Sequence, residues 1–159
     1  MCKPASFVLT KDAVFWSRLT DSHEEIIKES GLHADGAKGP NILRVEVVPP
    51  GDDMTRPPAE WVFGVDQDIM PEWYDSERDE ARTRAALVDW IAENVISDTR
   101  DSVTEGRVFI VGNATVQRVC GNATVQRVYG NAPVQAVYGN ATVQRVYDNA
   151  TVQHVYGNA

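Results

Sequence analysis

The 159-residue chain is short of the residues on which several common functions depend. It has two cysteines, Cys2 and Cys120, too few for a disulfide framework, which fits a reducing compartment. Histidine is scarce, with His23, His33 and His154 only, and none falls at zinc-site spacing. No apolar run approaches the roughly 20 residues that a membrane-spanning helix needs. The first residues, Met-Cys-Lys-Pro-Ala-Ser-Phe, lack the apolar stretch of a secretory signal, so a cytoplasmic location is expected. Basic residues are the minority, 15 Lys and Arg against 23 Asp and Glu, for a net charge of −8. That balance disfavours direct binding of a nucleic-acid backbone. There is no phosphate-binding loop, dinucleotide fingerprint or Gly-x-Ser-x-Gly elbow. No cofactor is expected, and no enzyme class suggests itself.

What is present is unevenly distributed. Every Trp, Phe, Met and Lys lies before Gly112, and residues 1–111 carry a net charge of −10. Residues 112–159 hold Arg118, Arg127 and Arg145 against Asp148, a net of +2. The shift marks a boundary between an acidic domain, 1–111, and a tail, 112–159.

The tail repeats with period nine. Units begin at Gly112, Gly121, Gly130, Gly139 and Asp148 and read GNATVQRVC, GNATVQRVY, GNAPVQAVY, GNATVQRVY and DNATVQHVY. Each unit alternates β-favouring valines with a Gly-Asn or Asp-Asn turn, which argues for strands and corners rather than helix. The aliphatic and small-residue spacing is similar to that of hexapeptide-repeat β-helices, stretched by three residues. That resemblance implies a β-solenoid.

Nine residues cannot encircle a core, so two units per coil are expected, giving about two and a half coils from five units. Strand spacing of about 4.8 Å then makes the stack on the order of 12 Å tall. Valines from Val116 and Val119 to Val152 and Val155 should face inward, with Ala114 and its equivalents where the wall is tight. Asn113 and its equivalents should form amide ladders at the corners. Odd units should stack on odd units. Arg118, Ala136 and His154 then make one outer column, Arg127 and Arg145 the other, and Tyr129 sits over Tyr147. Pro133 cannot donate to a ladder and should occupy a corner or an unpaired position. The sequence stops in mid-repeat without a polar cap, so an exposed strand edge is expected to pair with a second copy. The dimer contact is assigned to Tyr147, Val152, His154, Val155 and Tyr156.

Upstream, residues 6–10 and 14–16 read as paired strands, and Ser22-His23-Glu24-Glu25 as a capping box opening a helix that stops at Gly31. Leu43, Val45 and Val47 alternate with Arg44 and Glu46 in a third strand, and Trp61, Phe63 and Val65 mark a fourth. Leu87, Trp90, Ile91 and Val95 place a long helix over about 75–97, with Glu80 and Arg84 paired on its wet face. Arg107–Val111 reads as a last strand. The expected fold is therefore an α+β domain of order β-β-α-β-β-α-β followed by the short β-solenoid.

Three groups carry possible chemistry. Asp21, His23 and Glu24 could serve a metal or acid–base site, but carboxylates there also complement a helix start. Asp66 and Asp68 flank Gln67 after a strand and could hold a divalent ion, yet no third ligand follows at calcium-loop spacing. No metal site is therefore assigned, and a small metal-dependent enzyme using either set is kept as an alternative, beside a self-assembling structural protein. The third group is Glu72, Trp73, Tyr74, Asp75, Glu77 and Asp79, an aromatic centre within an acidic rim, with Asp52 and Asp53 on a nearby loop. It is assigned as a surface for a basic protein partner.

The stretches Val14-Phe15-Trp16-Ser17, Asp21 to Ile27, Leu43-Arg44-Val45-Glu46 and Trp61 to Asp66 resemble small accessory proteins of phages and prophages, over about residues 5–97. The resemblance implies a mobile-element protein acting in a bacterial host, with inhibition of host defence, as by anti-CRISPR proteins, as the implied activity. The expected function is thus a non-enzymatic, dimeric inhibitor that binds a nucleic-acid-handling defence complex.

Overall fold

The computed structural model describes residues 4–36 and 38–159. The chain divides into two compact units, 1–90 and 91–159. The nonapeptide repeat starts at Gly112, but the unit that contains it starts twenty-one residues earlier.

In the first unit, β1 (Ala5–Leu9) is flanked by β2 (Val14–Phe15) and β5 (Leu43–Val48), and β6 (Val62–Val65) completes an antiparallel sheet of order β2-β1-β5-β6. The alternation read in β5 holds. Leu43, Val45 and Val47 are fully buried, while Arg44, Glu46 and Val48 are half-buried on the other face. β1 is buried along its whole length, as a strand flanked on both sides can be.

Helix α1 (His23–Glu29) has Ser22 at its N-cap, accepting from the Glu25 N–H. At its other end the Gly31 N–H donates to Lys28 O and the Leu32 N–H to Ile27 O, with Gly31 at φ 64°. This double bond pattern needs a left-handed residue, which is why the helix ends at glycine. Ile26 and Ile27 bury against Val8 and Ile42.

The loop expected over residues 33–40 contains a small hairpin, β3 (Asp35–Gly36) with β4 (Gly39–Pro40), braced by Asn41, whose side-chain NH2 donates to Asp35 O.

Helix α2 (Ser76–Asn94) is shorter than its apolar spacing suggests. Val95 and Ile96 leave the helix and pair as β7 (Val95–Ile96) with Phe109 and Ile110, because a β-branched pair fits a parallel rung better than a last helical turn. Leu87 and Trp90 are the helix's fully buried apolar side chains, and Trp90 meets Trp61 edge-to-face at 6.2 Å. Arg84 pairs with Glu80 at 2.7 Å.

The second unit is a β-solenoid. One face is β8 (Arg100–Val103), β10 (Val116–Val119), β12 (Pro133–Val137) and β14 (Thr151–Val155); the other is β7, β9 (Arg107–Ile110), β11 (Thr124–Val128) and β13 (Thr142–Val143). Every pairing is parallel. Four rungs on each face make about three turns rather than two and a half, because non-repeat residues upstream of Gly112 build the first rungs. For the same reason the last strand expected of the α+β domain, Arg107–Val111, is a solenoid rung.

Coil length grows along the stack. Val95 faces Phe109, a step of 14 residues, and Val103 faces Val119, a step of 16. Val108 faces Val125, a step of 17, and a bulge between Val125 and Arg127 raises it to 18 at Val128. From there the step stays at 18, and Arg118, Ala136 and His154 fall in one column. Val116, Val119, Val125, Val128 and Val134 are fully buried, as are Ala123, Ala132 and Ala141. Asn131 donates to Asn113 at 3.2 Å and Asn149 to Asn131 at 3.3 Å, the amide ladder expected at the corner.

Pro133 opens β12 opposite Thr151. Its counterparts Thr142 and Thr151 donate to Ala123 O and Ala132 O. Proline has no N–H for that bond, and the first residue of a strand is where a ladder tolerates it.

Each repeat begins in the left-handed region, from Gly112 (φ 66°) to Gly157 (φ 69°), and Asp148 takes the same conformation at φ 55°. Asp148 also accepts from the Gly130 N–H, one coil back, through its carboxylate at 3.2 Å. A Cβ on Gly130 would stand 2.6 Å from Gly112 O, whereas one on Gly139 would reach Gly121 N at an ordinary 3.5 Å. Gly130→Ala is expected to lose more than about 2 kcal/mol and Gly139→Ala about 1 kcal/mol, the latter from left-handed strain alone. Denaturant midpoints of the two variants check the ordering.

Candidate functional site

Three places in the molecule gather the residues that sequence reasoning singled out. The first lies where α1 meets the third and fourth strands of the sheet. His23 is the first helical residue and is 4% exposed. Its Nε2 lies 3.0 Å from Val45 O, and its Nδ1 lies 3.3 Å from Asp66 Oδ2. Glu46 stands next to Val45 on the polar face of β5, and one donor atom from each of His23, Glu46 and Asp66 lies within 4.8 Å of the others.

The two candidate sets are thus partly merged and partly dispersed. His23 from one joins Asp66 from the other. Glu24 is drawn away into an ion pair with Arg44 at 2.8 Å, and Asp68 is exposed. Glu46, read only as an outward strand residue, is the member that sequence spacing missed. Local order aims Asp66: its N–H donates to Arg44 O, while Gln67 Oε1 accepts from the Arg44 N–H and Gln67 Nε2 donates to Ile42 O and Ile69 O. Gln67 thereby extends the strand ladder with its side chain.

The second place is the approach to α2. Glu72, Asp75 and Glu77 are exposed, and Trp73 and Tyr74 are half-buried. Trp73 and Glu72 help to line a cleft of about 160 Å3 with Lys38, Pro40, Ile69 and Met70. Asp79 is different, with no exposure at all. Its Oδ1 accepts from Arg82 Nε at 2.7 Å and Arg78 Nε at 3.0 Å, and its Oδ2 accepts from the Asp75 N–H. Arg82 also donates to Thr10 O and Lys11 O and lies 5.6 Å over the Trp73 ring. Asp79 is therefore part of the interior and offers no carboxylate to a partner. The reason is the helix start: Asp75 caps the Arg78 N–H, and Asp79 reaches back to the Asp75 N–H. Asp52 and Asp53 sit on a separate turn after β5, where Thr55 donates to Asp53 through its hydroxyl and its backbone N–H.

The third place is the last rung of the solenoid. Val146, Tyr147, Val155 and Tyr156 are 44–58% exposed. One turn earlier, Val128 and Val137 are buried. Val152 is half-buried, and His154 is exposed and stacks on Tyr156 at 5.9 Å.

Residues 145–154 match the family described as the YdcK beta solenoid repeat. No curated protein matches the chain, and no solved structure does. The match spans ten residues at the end of the solenoid and agrees with the parallel rungs described above. Among the described residues no helix is long and apolar enough to cross a membrane.

Burial opposes ionisation of Asp79, but hydrogen bonds from Arg78 and the Asp75 N–H, with the charge of Arg82, hold its carboxyl below the usual 3.8. A carboxyl depressed by folding contributes stability above its unfolded value and loses it as pH falls through the folded value. Asp79→Asn is expected to cost about 3 kcal/mol at neutral pH, because Arg82 loses its buried counter-charge. The gap to wild type should close as pH drops below 3.8. Thermal melts across that range measure it.

Proposed function

We propose that the chain is a non-enzymatic interaction protein that self-associates through the last rung of its solenoid and engages a basic partner through the start of α2. The observation that carries the first part is the contrast between consecutive turns. Val128 and Val137 are buried by the rung that follows them, whereas Val146 and Val155 are 44% and 58% exposed. Fully burying such a valine is worth about 1.5–3 kcal/mol, so the rung gains by being covered. A second copy offers the same apolar strip and the same strand edge, which suits a two-fold, self-complementary contact through Tyr147, Val152, His154, Val155 and Tyr156.

For the partner surface, Glu72, Asp75 and Glu77 are exposed around the half-buried Trp73, whose ring is held beneath Arg82. A fixed aromatic within an acidic rim suits a basic protein surface. A dimer carrying two such surfaces gains avidity for a partner with repeated sites. The resemblance to phage accessory proteins makes a bacterial nucleic-acid-handling defence complex the first partner to assay, with low salt favouring the contact.

Light scattering after size exclusion tests the self-association. The full chain is expected to run as a dimer that dissociates on dilution. Val155→Arg should run as a monomer with unchanged circular dichroism, since Val155 is 58% exposed and an arginine stem can still cover Val137 while its charge stays in water. A wild-type monomer at all concentrations, or a dimeric Val155→Arg protein, would remove this reading. Growth beyond a dimer would favour an end-to-end filament instead. For the partner surface, Trp73→Ala is expected to weaken capture by a basic defence complex while leaving the dimer intact.

A further inference from the structure

The imidazole of His23 faces an acceptor on each side. Nε2 is 3.0 Å from a backbone carbonyl, Val45 O, and Nδ1 is 3.3 Å from the Asp66 carboxylate. A neutral imidazole has one N–H. With that N–H donated to Val45 O, the Nδ1 lone pair points at a carboxylate oxygen that also offers only lone pairs. Something positive must lie between them. A second proton on the ring could do so, but three features of the site ask for more than a proton.

The first is Glu46, which brings a second carboxylate oxygen within 4.8 Å of both other donor atoms. One proton between His23 and Asp66 engages two of these three donor atoms and makes no use of the third. The second is the separation of 3.3 Å. A charge-assisted N–H···O bond is shorter, about 2.7–2.9 Å. Two ligands placed tetrahedrally about 2.0–2.1 Å from a zinc ion stand about 3.3–3.4 Å apart. The third is the bond to Val45 O. A histidine that ligates a metal through one nitrogen commonly gives its other N–H to a backbone carbonyl, which fixes the tautomer and the ring plane. The burial of His23, 4% exposed, supplies the rigid wall, and the half-exposed Asp66 leaves a way in for the ion and for a water ligand.

We infer that His23 Nδ1, Glu46 and Asp66 form a binding site for a divalent transition-metal ion, with zinc the best fit to one imidazole and two carboxylates. Calcium and magnesium prefer all-oxygen shells and are disfavoured by the nitrogen donor. The site has three protein ligands and an open fourth position, and its ligands come from a helix start, a strand and a strand end that the fold already holds together. It does not depend on the solenoid or on self-association.

Calorimetric titration of the chelator-stripped full chain with Zn2+ tests the site. One Zn2+ should bind per chain. Asp66→Asn and Glu46→Gln should each weaken it by at least about ten-fold. Both positions are at least partly exposed and both replacements keep shape, so the metal-free variants should melt as wild type does. Cys120→Ser, in the second unit, should leave the binding unchanged. Co2+ offers an independent readout: the visible absorption of a tetrahedral ion should appear with wild type and fade in Asp66→Asn. Absence of Zn2+ binding up to millimolar concentration would overturn the inference and leave a proton shared between His23 and Asp66. So would binding that survives both carboxylate replacements.

Discussion

Every coil built from the repeat depends on one backbone constraint, a left-handed residue at the start of each unit. There the chain turns sharply and the next rung comes down almost directly on the last. The N–H of Asn131 reaches Gly112 O at 2.8 Å and that of Asn149 reaches Gly130 O at 3.0 Å, so corner backbones bond to each other across coils. A side chain at the earlier corners has no room. The valine core, the asparagine ladder and the parallel rungs all follow from that closeness. Asp148 is the exception that clarifies the rule. Its short polar side chain tolerates the left-handed region and returns a hydrogen bond to the corner beneath it.

The first unit relies on a different economy, in which strand β5 serves both of its faces. Leu43, Val45 and Val47 enter the core, while Arg44 and Glu46 face the other way. Arg44 anchors Glu24, its backbone holds Asp66 and Gln67, and the carbonyl of Val45 orients His23. A single strand thereby brings together residues from positions 23, 46 and 66.

Much of the architecture was legible in the sequence because it rests on periodicity. The period of nine, with Gly-Asn at each corner, led to two units per coil and to the column of Arg118, Ala136 and His154 that the register contains. The capping serine of α1 and the glycine that stops it were equally local signals. The early rungs were not legible: β7 to β9 lack the repeat, and Val95 sits at helical spacing from Ile91, so only the pairing with Phe109 places it in a strand. The fate of the acidic residues was hidden for a similar reason. Asp79 looks like any helix-start carboxylate until Arg82, bridging to Thr10 and Lys11, buries it. His23, Glu46 and Asp66 form no motif, since tertiary pairing of distant strands, not spacing, joins them.

The lengthening of the coils from 14 to 18 residues has a meaning beyond geometry. A string of near-identical units is degenerate: slid by 18 residues, each valine still lands on a valine and each asparagine on an asparagine. Pairing energy alone cannot choose among these slipped alignments. The shorter coils can, because Phe109, Ile110 and the bulge beside Arg127 fit one alignment only. They act as the zero mark from which the later rungs are counted. Although a uniform repeat array can nucleate anywhere, this one has reason to assemble from its irregular end outward, each new coil copying the alignment of the one before.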